Sequence, residues 1–185
     1  MDQSHEQEYI DKILNGETGL YSYFLESYSK QVFNLIIKIV HSQEDAEELT
    51  QDCFIKAFKK LSTFKRKSRF STWIFRIAYN TAISSTRKKK REFPVIDDFV
   101  LNNITDDEVN ELLEKEHEEI ELSKMENAID SLNDEEKSML TLFYNENKSI
   151  SDLSDIFEIS GSNAKIKLHR IRKKLYVALK NEKDV

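Results

Sequence analysis

The string SISDLSDIFEISGSNAKIKLHRIRKKL, residues 149 to 175, decides the fold. Ser149 with Asp152 three positions on is the opening of a short helix through Leu153, Ile156 and Phe157, because a hydroxyl can cap the free amides of a first turn while the acid reaches back. Glu158-Ile159-Ser160 interrupts it, and a second helix starts at Ser160. Two helices separated by three or four residues have the dimensions of a helix-turn-helix. Within the second helix Ala164, Leu168, Ile171 and Leu175 recur at helical spacing and mark the core side. The opposite side carries Ser162, Ile166, His169 and Lys173, flanked by Asn163, Lys165 and Arg170. Such a face suits the major groove, where Arg or Lys pairs with guanine, Asn with adenine, and an apolar side chain meets the thymine methyl. Lys167, Arg172 and Lys174 lie nearer the edges, where phosphates are met. A histidine on a basic helix is also an ordinary solvated residue, so His169 by itself fits either use.

Working outward, Asn133 with Glu136 repeats the capping pattern before a helix carrying Met139, Leu140, Leu142 and Phe143. With only 3 Gly and 1 Pro among 185 residues, turn formers are scarce and the whole chain reads as helical. The net charge of -6 is spread unevenly. Residues 1–55 carry a net -8, residues 56–91 carry 13 basic residues and no acid, residues 92–124 carry -10, residues 125–158 carry -7, and residues 159–185 carry +6. Phosphate contacts depend on local charge, so two separated basic stretches predict two nucleic-acid contacts on one molecule.

The first half reads as a four-helix unit. Ile10, Ile13 and Leu14 form a short amphipathic helix closed by Asn15-Gly16, and a longer stripe runs from Leu20 through Phe24, Tyr28, Val32, Leu35, Ile36 and Ile39. Ser42 caps a third helix whose first turn is acidic, as the positive end of a helix dipole favours. Its apolar side is Ala46, Thr50, Cys53, Phe54, Ala57, Phe58 and Leu61. The other side is Asp45, Glu48, Leu49, Asp52 and Lys56, a stripe that periodicity alone reads equally as a solvated face or as a docking face for a partner helix. After a basic break at residues 62–69, a fourth helix runs from near Ser71 to about Arg87. Here Phe64, Phe70, Trp73, Phe75 and Tyr79 are interleaved with Lys65, Arg66, Lys67, Arg69 and Arg76. Aromatics beside cations are the apparatus for unpaired bases, and buried aromatics are equally the stuff of cores; for most of these rings the core reading is favoured. Residues 92–124 read as an acidic linker, with Pro94 breaking helix, Asn102-Asn103 favouring a turn and acid excess resisting compaction, and with helix expected beyond Asp107.

Catalytic chemistry finds no support. There is no phosphate-binding glycine loop, no nucleophile elbow and no H-E-x-x-H, and His5, His41, His117 and His169 lack metal-ligand spacing. Neither a metal nor a cofactor nor a small-molecule substrate is expected. The single Cys53 reads as a small buried hydrophobe. No apolar run approaches the roughly 20 residues a membrane span needs, and the polar start lacks a signal peptide's pattern, so no membrane insertion and a cytoplasmic location are expected.

At this point the residues resemble a known family. The string at 149–175 is similar, without a gap, to region 4 of extracytoplasmic-function (ECF) sigma factors, promoter-recognition subunits of bacterial RNA polymerase. DAEELTQDCFIKAF, residues 45–58, resembles the region 2 helix that docks on polymerase, and FSTWIFRIAYN, residues 70–80, followed by the basic cluster Arg87 to Arg91, resembles its promoter-melting segment. Two matching regions in the right order specify far more than one helix-turn-helix. The resemblance implies an all-α protein of two small helical domains, region 2 over 1–91 and region 4 over 125–185, joined by the acidic linker 92–124. It implies that Asp45, Glu48, Leu49, Asp52 and Lys56 dock on the coiled coil of the largest polymerase subunit, with the flap as a further polymerase contact. Lys65, Arg66, Lys67, Arg69, Trp73, Arg76, Asn80, Arg87 and Lys88 are implied in melting and reading the minus-ten element. Ser162, Asn163, Lys165, Ile166, Lys167, His169, Arg170 and Lys173 are implied in reading the minus-thirty-five duplex. The linker is implied to thread toward the active-site channel, and an anti-sigma factor is the implied regulator. Two departures stand out: Glu158 occupies a turn position where members often carry glycine, and Ser84 or Ser85 replaces an acid late in the melting helix. Outside this family the residues also fit a self-sufficient helix-turn-helix regulator or an RNA accessory protein.

Overall fold

The computed structural model describes residues 3–86, 96, 98–115 and 122–181, and among them every regular element is helical. Helix α1 (Gln3–Leu14) ends at Gly16, whose φ of 110° is open to glycine without strain. A short 3-10 turn (Thr18–Tyr21) leads into α2 (Ser22–Val40), and α3 (Gln43–Lys60) and α4 (Phe70–Thr86) complete the first cluster. Helix α2 ends where His41 turns left-handed at φ 59°, and Ser42 Oγ then accepts the Asp45 amide at 3.3 Å to start α3. Packing explains the sequence stripe: Phe24, Tyr28, Val32, Leu35, Ile36 and Ile39 are all buried on α2, and both α3 and α4 lie against it. Phe58, expected on the core side, is 40 % exposed and lies at the cluster's edge, meeting the Tyr21 ring at 4.9 Å. The α3 stripe drifts at its C-terminal end because residues at 54, 57 and 61 already fill the space facing α2 and α4.

Cys53 is buried between α3 and α4, its thiol directed at the Ile74 carbonyl, and burial pushes its pKa up to about 12. A thiol that is neither ionised nor reachable does not alkylate. Iodoacetamide labelling of the native protein is therefore expected to be negligible over hours and complete in denaturant, as read by mass spectrometry.

The second cluster comprises α7 (Leu122–Asp130), α8 (Asp134–Leu140) continuing through a π turn (Thr141–Asn145), α9 (Ile150–Phe157) and α10 (Gly161–Asn181). Both expected capping boxes are formed, Asn133 with Glu136 and Ser149 with Asp152. Ser160 Oγ accepts the Asn163 amide at 3.2 Å and opens α10. Glu158 adopts the left-handed conformation at φ 55°, the geometry for which glycine is the unstrained choice.

The two clusters share one continuous core. Helix α9 lies on α4 and α8 lies on α2. Tyr79 and Phe157 rings meet at 4.6 Å, Thr72 Oγ1 donates to Asp152 at 2.6 Å, and Lys148 Nζ donates to Ser71 Oγ at 2.9 Å while lying 4.8 Å from the Phe75 ring centre. Burial lowers the Lys148 pKa. Burial also pushes against ionised Asp152, yet hydrogen bonds from Ser149 and Thr72 leave its pKa below the usual value.

The acidic stretch corrects the expectation of a segment that resists compaction. It forms α5 (Asp98–Asn103) and α6 (Asp106–Lys115), so Asn102-Asn103 closes a helix rather than making a free turn. Leu101 and Val109 are each only 2 % exposed, and both helices lie against α10. Helix α6 meets a helix that carries seven Lys/Arg and no acid, so attraction replaces the self-repulsion that the linker sequence implies by itself. Pro94 and residues 116–121 lie outside the described residues. No helix among the described residues is long and apolar enough to cross a membrane.

Candidate nucleic-acid interface

Helix α10 presents its outward side much as counted. Ala164, Leu168, Ile171 and Leu175 are buried, while Ser162, Asn163, Lys165, Ile166 and Arg170 are exposed, Ile166 by 55 %. Ile166 therefore stands as an open apolar side chain between the exposed Lys165 and the half-buried Lys167. The edges are occupied. Lys167 pairs with Glu135, and Lys174 Nζ lies 2.6 Å from Glu136, so the acids that stabilise the start of α8 also hold one edge of α10. On the other edge His169 Nε2 lies 3.2 Å from Asp106 Oδ1 of α6, and His169 and Lys173 are half-buried rather than fully outward. Arg172 donates to the Tyr144 hydroxyl at 2.8 Å and spans the Phe143 and Tyr144 rings.

The basic zone of the first cluster divides cleanly into core and surface. Phe70 and Phe75 are buried, whereas Phe64 and Trp73 are half-buried and meet with their rings tilted by 37° at 5.1 Å between centres. Phe70 meets Trp73 at 5.6 Å, so a buried ring supports the partly open one. Lys65, Arg66, Lys67 and Arg69 are exposed on the loop before α4, with Arg66 at φ 58° and paired to Asp11 of α1. One helical turn and two turns beyond Trp73 come Arg76 and Asn80, both exposed. Arg76 lies 3.7 Å from Glu158, the residue in the helix-turn-helix turn. Tyr79 is directed into the contact with α9, and burial raises its pKa. Arg87 and Lys88 lie outside the described residues.

On α3, Glu48, Asp52 and Lys56 are exposed and Asp45 and Leu49 half-exposed. Asp45, Glu48 and Leu49 line a groove of about 230 Å³ with Val40, Ser85 and Thr86. The groove thus sets Val40 and Leu49 beside the acids Asp45 and Glu48, and Ile55, 51 % exposed, stands one turn beyond Asp52 on α3. Sequence reading missed Ile55; its spacing of three from Asp52 was the available signal. It also missed Ser71, Thr72 and Lys148, which join the two clusters and carry no local motif, and it read Asp152 only as a cap and not as the partner of Thr72. Among the described residues no group of His, Cys, Asp and Glu is placed to hold a metal ion.

Residues 24–92 match the model of sigma-70 region 2, and residues 122–175 match that of sigma-70 region 4. The chain belongs to the ECF sigma factors. It is 26 % identical to the RNA polymerase sigma-H factor of Pseudomonas aeruginosa over 96 % of this chain and 95 % of that one. It is also 26 % identical to the ECF RNA polymerase sigma factor SigW of Bacillus subtilis, over 93 % and 95 % of the two chains. Among solved structures, the sigma factor RpoE in complex with the anti-sigma factor NepR from Bartonella quintana has the same fold, with a TM-score of 0.62, 19 % identity and coverage of 86 % and 96 %. ECF sigma factors direct RNA polymerase to promoters and are not themselves enzymes.

Proposed function

We propose that this ECF sigma factor binds core RNA polymerase through the α3 stripe Asp45, Glu48, Leu49, Asp52 and Lys56, and acts in the cytoplasm. It melts and reads the minus-ten element with Lys65, Arg66, Lys67, Arg69, Trp73, Arg76, Asn80, Arg87 and Lys88. It reads the minus-thirty-five duplex with Ser162, Asn163, Lys165, Ile166, Lys167, His169, Arg170 and Lys173. Region 2 then comprises residues 1–91 and region 4 residues 125–185. The observation that carries this reading is one chain holding an exposed acidic groove beside two separate cationic surfaces, one with a half-open indole and one on a recognition helix. The indole suits a base taken out of the stack, and the helix suits an intact major groove. An anti-sigma factor as regulator is supported by the fold shared with the Bartonella quintana protein solved in such a complex.

A reconstituted transcription assay tests it. Core polymerase plus this chain is expected to start at discrete genomic promoters, and neither component does so by itself; the absence of any specific transcript overturns the reading. In the same assay His169→Ala with Arg170→Ala is expected to cost roughly 1–3 kcal/mol of minus-thirty-five discrimination for each base that is no longer read. The minus-ten preference is expected to be unchanged, as read from promoter variants in each element.

A further inference from the structure

The acidic helix α6 sits beside the recognition helix at the place where duplex DNA has to approach. Asp106 pairs with His169, and Asp106, Val109 and Asn110 of α6 line one cleft of about 290 Å³ with Lys165, Leu168, His169 and Arg172 of α10. Val109 is closed off from solvent, so the contact has an apolar anchor as well as a polar one. Helix α6 is also formed in its own right: Thr105 and Glu108 cap it reciprocally, with the Thr105 amide donating to Glu108 at 2.8 Å and Thr105 Oγ1 accepting the Glu108 amide at 3.3 Å. Glu108 has a lowered pKa, first from the hydrogen bonds of Thr105 and further from Lys180 and Lys173 of α10, which places this acid in the field of the same cationic helix. The charges are complementary, five acids and one lysine on α6 against seven Lys/Arg and no acid on α10.

We infer that α6 is an intramolecular clamp on the DNA-reading helix: in the free protein it covers the His169 and Lys173 edge of α10, and it must leave before that edge meets duplex DNA. The clamp rests on the reading of α10 as the duplex-binding helix. Its chemistry is competition. Carboxylates hold the positions that phosphates take in the complex, and the buried side chain of Val109 adds an apolar hold to theirs. Ser162, Asn163 and Ile166 stay uncovered, so the leading end of α10 can touch DNA before the clamp opens and complete its contacts afterwards.

Val109→Asp separates this from plain electrostatics. The substitution buries a charge against α10 and releases α6, yet makes the chain more negative, so without a clamp it weakens DNA binding. With a clamp, affinity for a pool of short random-sequence duplexes at low salt is expected to rise about tenfold, the factor that follows if one free molecule in ten is open. Fluorescence anisotropy reads the affinity, and circular dichroism confirms that the variant is folded. If Val109→Asp proves unfolded, hydrogen exchange on the unmodified chain decides: amides of residues 106–115 are expected to lose protection when duplex is added, and unchanged or greater protection overturns the clamp. Lys165→Ala with Arg170→Ala, made in both backgrounds, keeps the two hypotheses apart. If they weaken binding in both while Val109→Asp equals the unmodified chain, the clamp is wrong and α10 still reads duplex. If they change nothing in either background, the reading of α10 itself fails.

Discussion

Replacing Asp45, Glu48 and Asp52 together by alanine is expected to remove core polymerase binding while leaving the protein folded. All three acids face solvent or the groove beside Val40 and Leu49, and the one ion pair they make among the described residues, Asp52 with Lys56 at 3.8 Å, is an exposed pair within a single helix. Such pairs contribute a few tenths of a kcal/mol. The cap of α3 survives, because Ser42 Oγ accepts the backbone amide of residue 45 and not its side chain. Loss of the Asp45 carboxylate costs about 0.3–1 kcal/mol of dipole interaction, partly offset by alanine's higher helix propensity. Binding is another matter. Truncating one member of a desolvated charge pair at an interface costs about 2–5 kcal/mol, which is on the order of 30-fold to several thousand-fold in affinity, before the second and third acids are counted. Anisotropy with labelled sigma and core enzyme reads the loss, and a thermal melt reads the fold. A triple variant that still binds core normally places the docking surface elsewhere on region 2.

Most of what the sequence makes legible is local. The caps at Ser42, Asn133 and Ser149, the stop at Gly16 and the core stripes of α2 and α10 all follow from bonds and periodicities within about two turns of helix, and each is present. Illegible features depend on what comes near from far along the chain. The acidic linker looks self-repelling in sequence because its partner, the cationic edge of α10, is more than fifty residues away. Lys148, Asp152, Ser71 and Thr72 form the polar seam between clusters, but each is an ordinary polar residue in its own helix or loop. Glu6 is buried and accepts a hydrogen bond from Tyr28, a pairing that no periodicity announces. The same distinction holds within the site. Residue types predict which surfaces carry charge; only tertiary contacts decide that His169, Lys167 and Arg76 have acidic partners. These pairs are exposed to different degrees and are salt-sensitive, so each contributes little to stability by itself.

Phe70→Ala is expected to have the largest effect on stability and, through it, on promoter opening. The ring is 2 % exposed and contacts Phe24 at 4.2 Å, Trp73 at 5.6 Å, Tyr28 at 5.8 Å and Phe64 at 6.0 Å. Truncating such a residue costs about 3–5 kcal/mol, through lost transfer energy and the cavity that remains. Against a total of about 5–15 kcal/mol for a typical domain, that is a large fraction. For a chain of this size it lowers Tm by roughly 6–20 °C, at about 2–4 °C per kcal/mol. The position matters as much as the volume. Phe70 is the first residue of α4 and the floor beneath Phe64 and Trp73, so its removal frees the half-open indole and the loop bearing Lys65 to Arg69 together. Below its melting temperature the variant is therefore expected to bind core polymerase through α3 and yet open minus-ten DNA poorly, as read by fluorescence of a base analogue in that element. Phe70→Leu keeps much of the volume and is expected to recover most of the stability but less of the opening, because a leucine fills the cavity without offering a ring face to Trp73. A Phe70→Ala protein that melts within a degree or two of the unmodified chain would show that the aromatic cluster collapses freely, and that the indole is held by the rest of α4 alone.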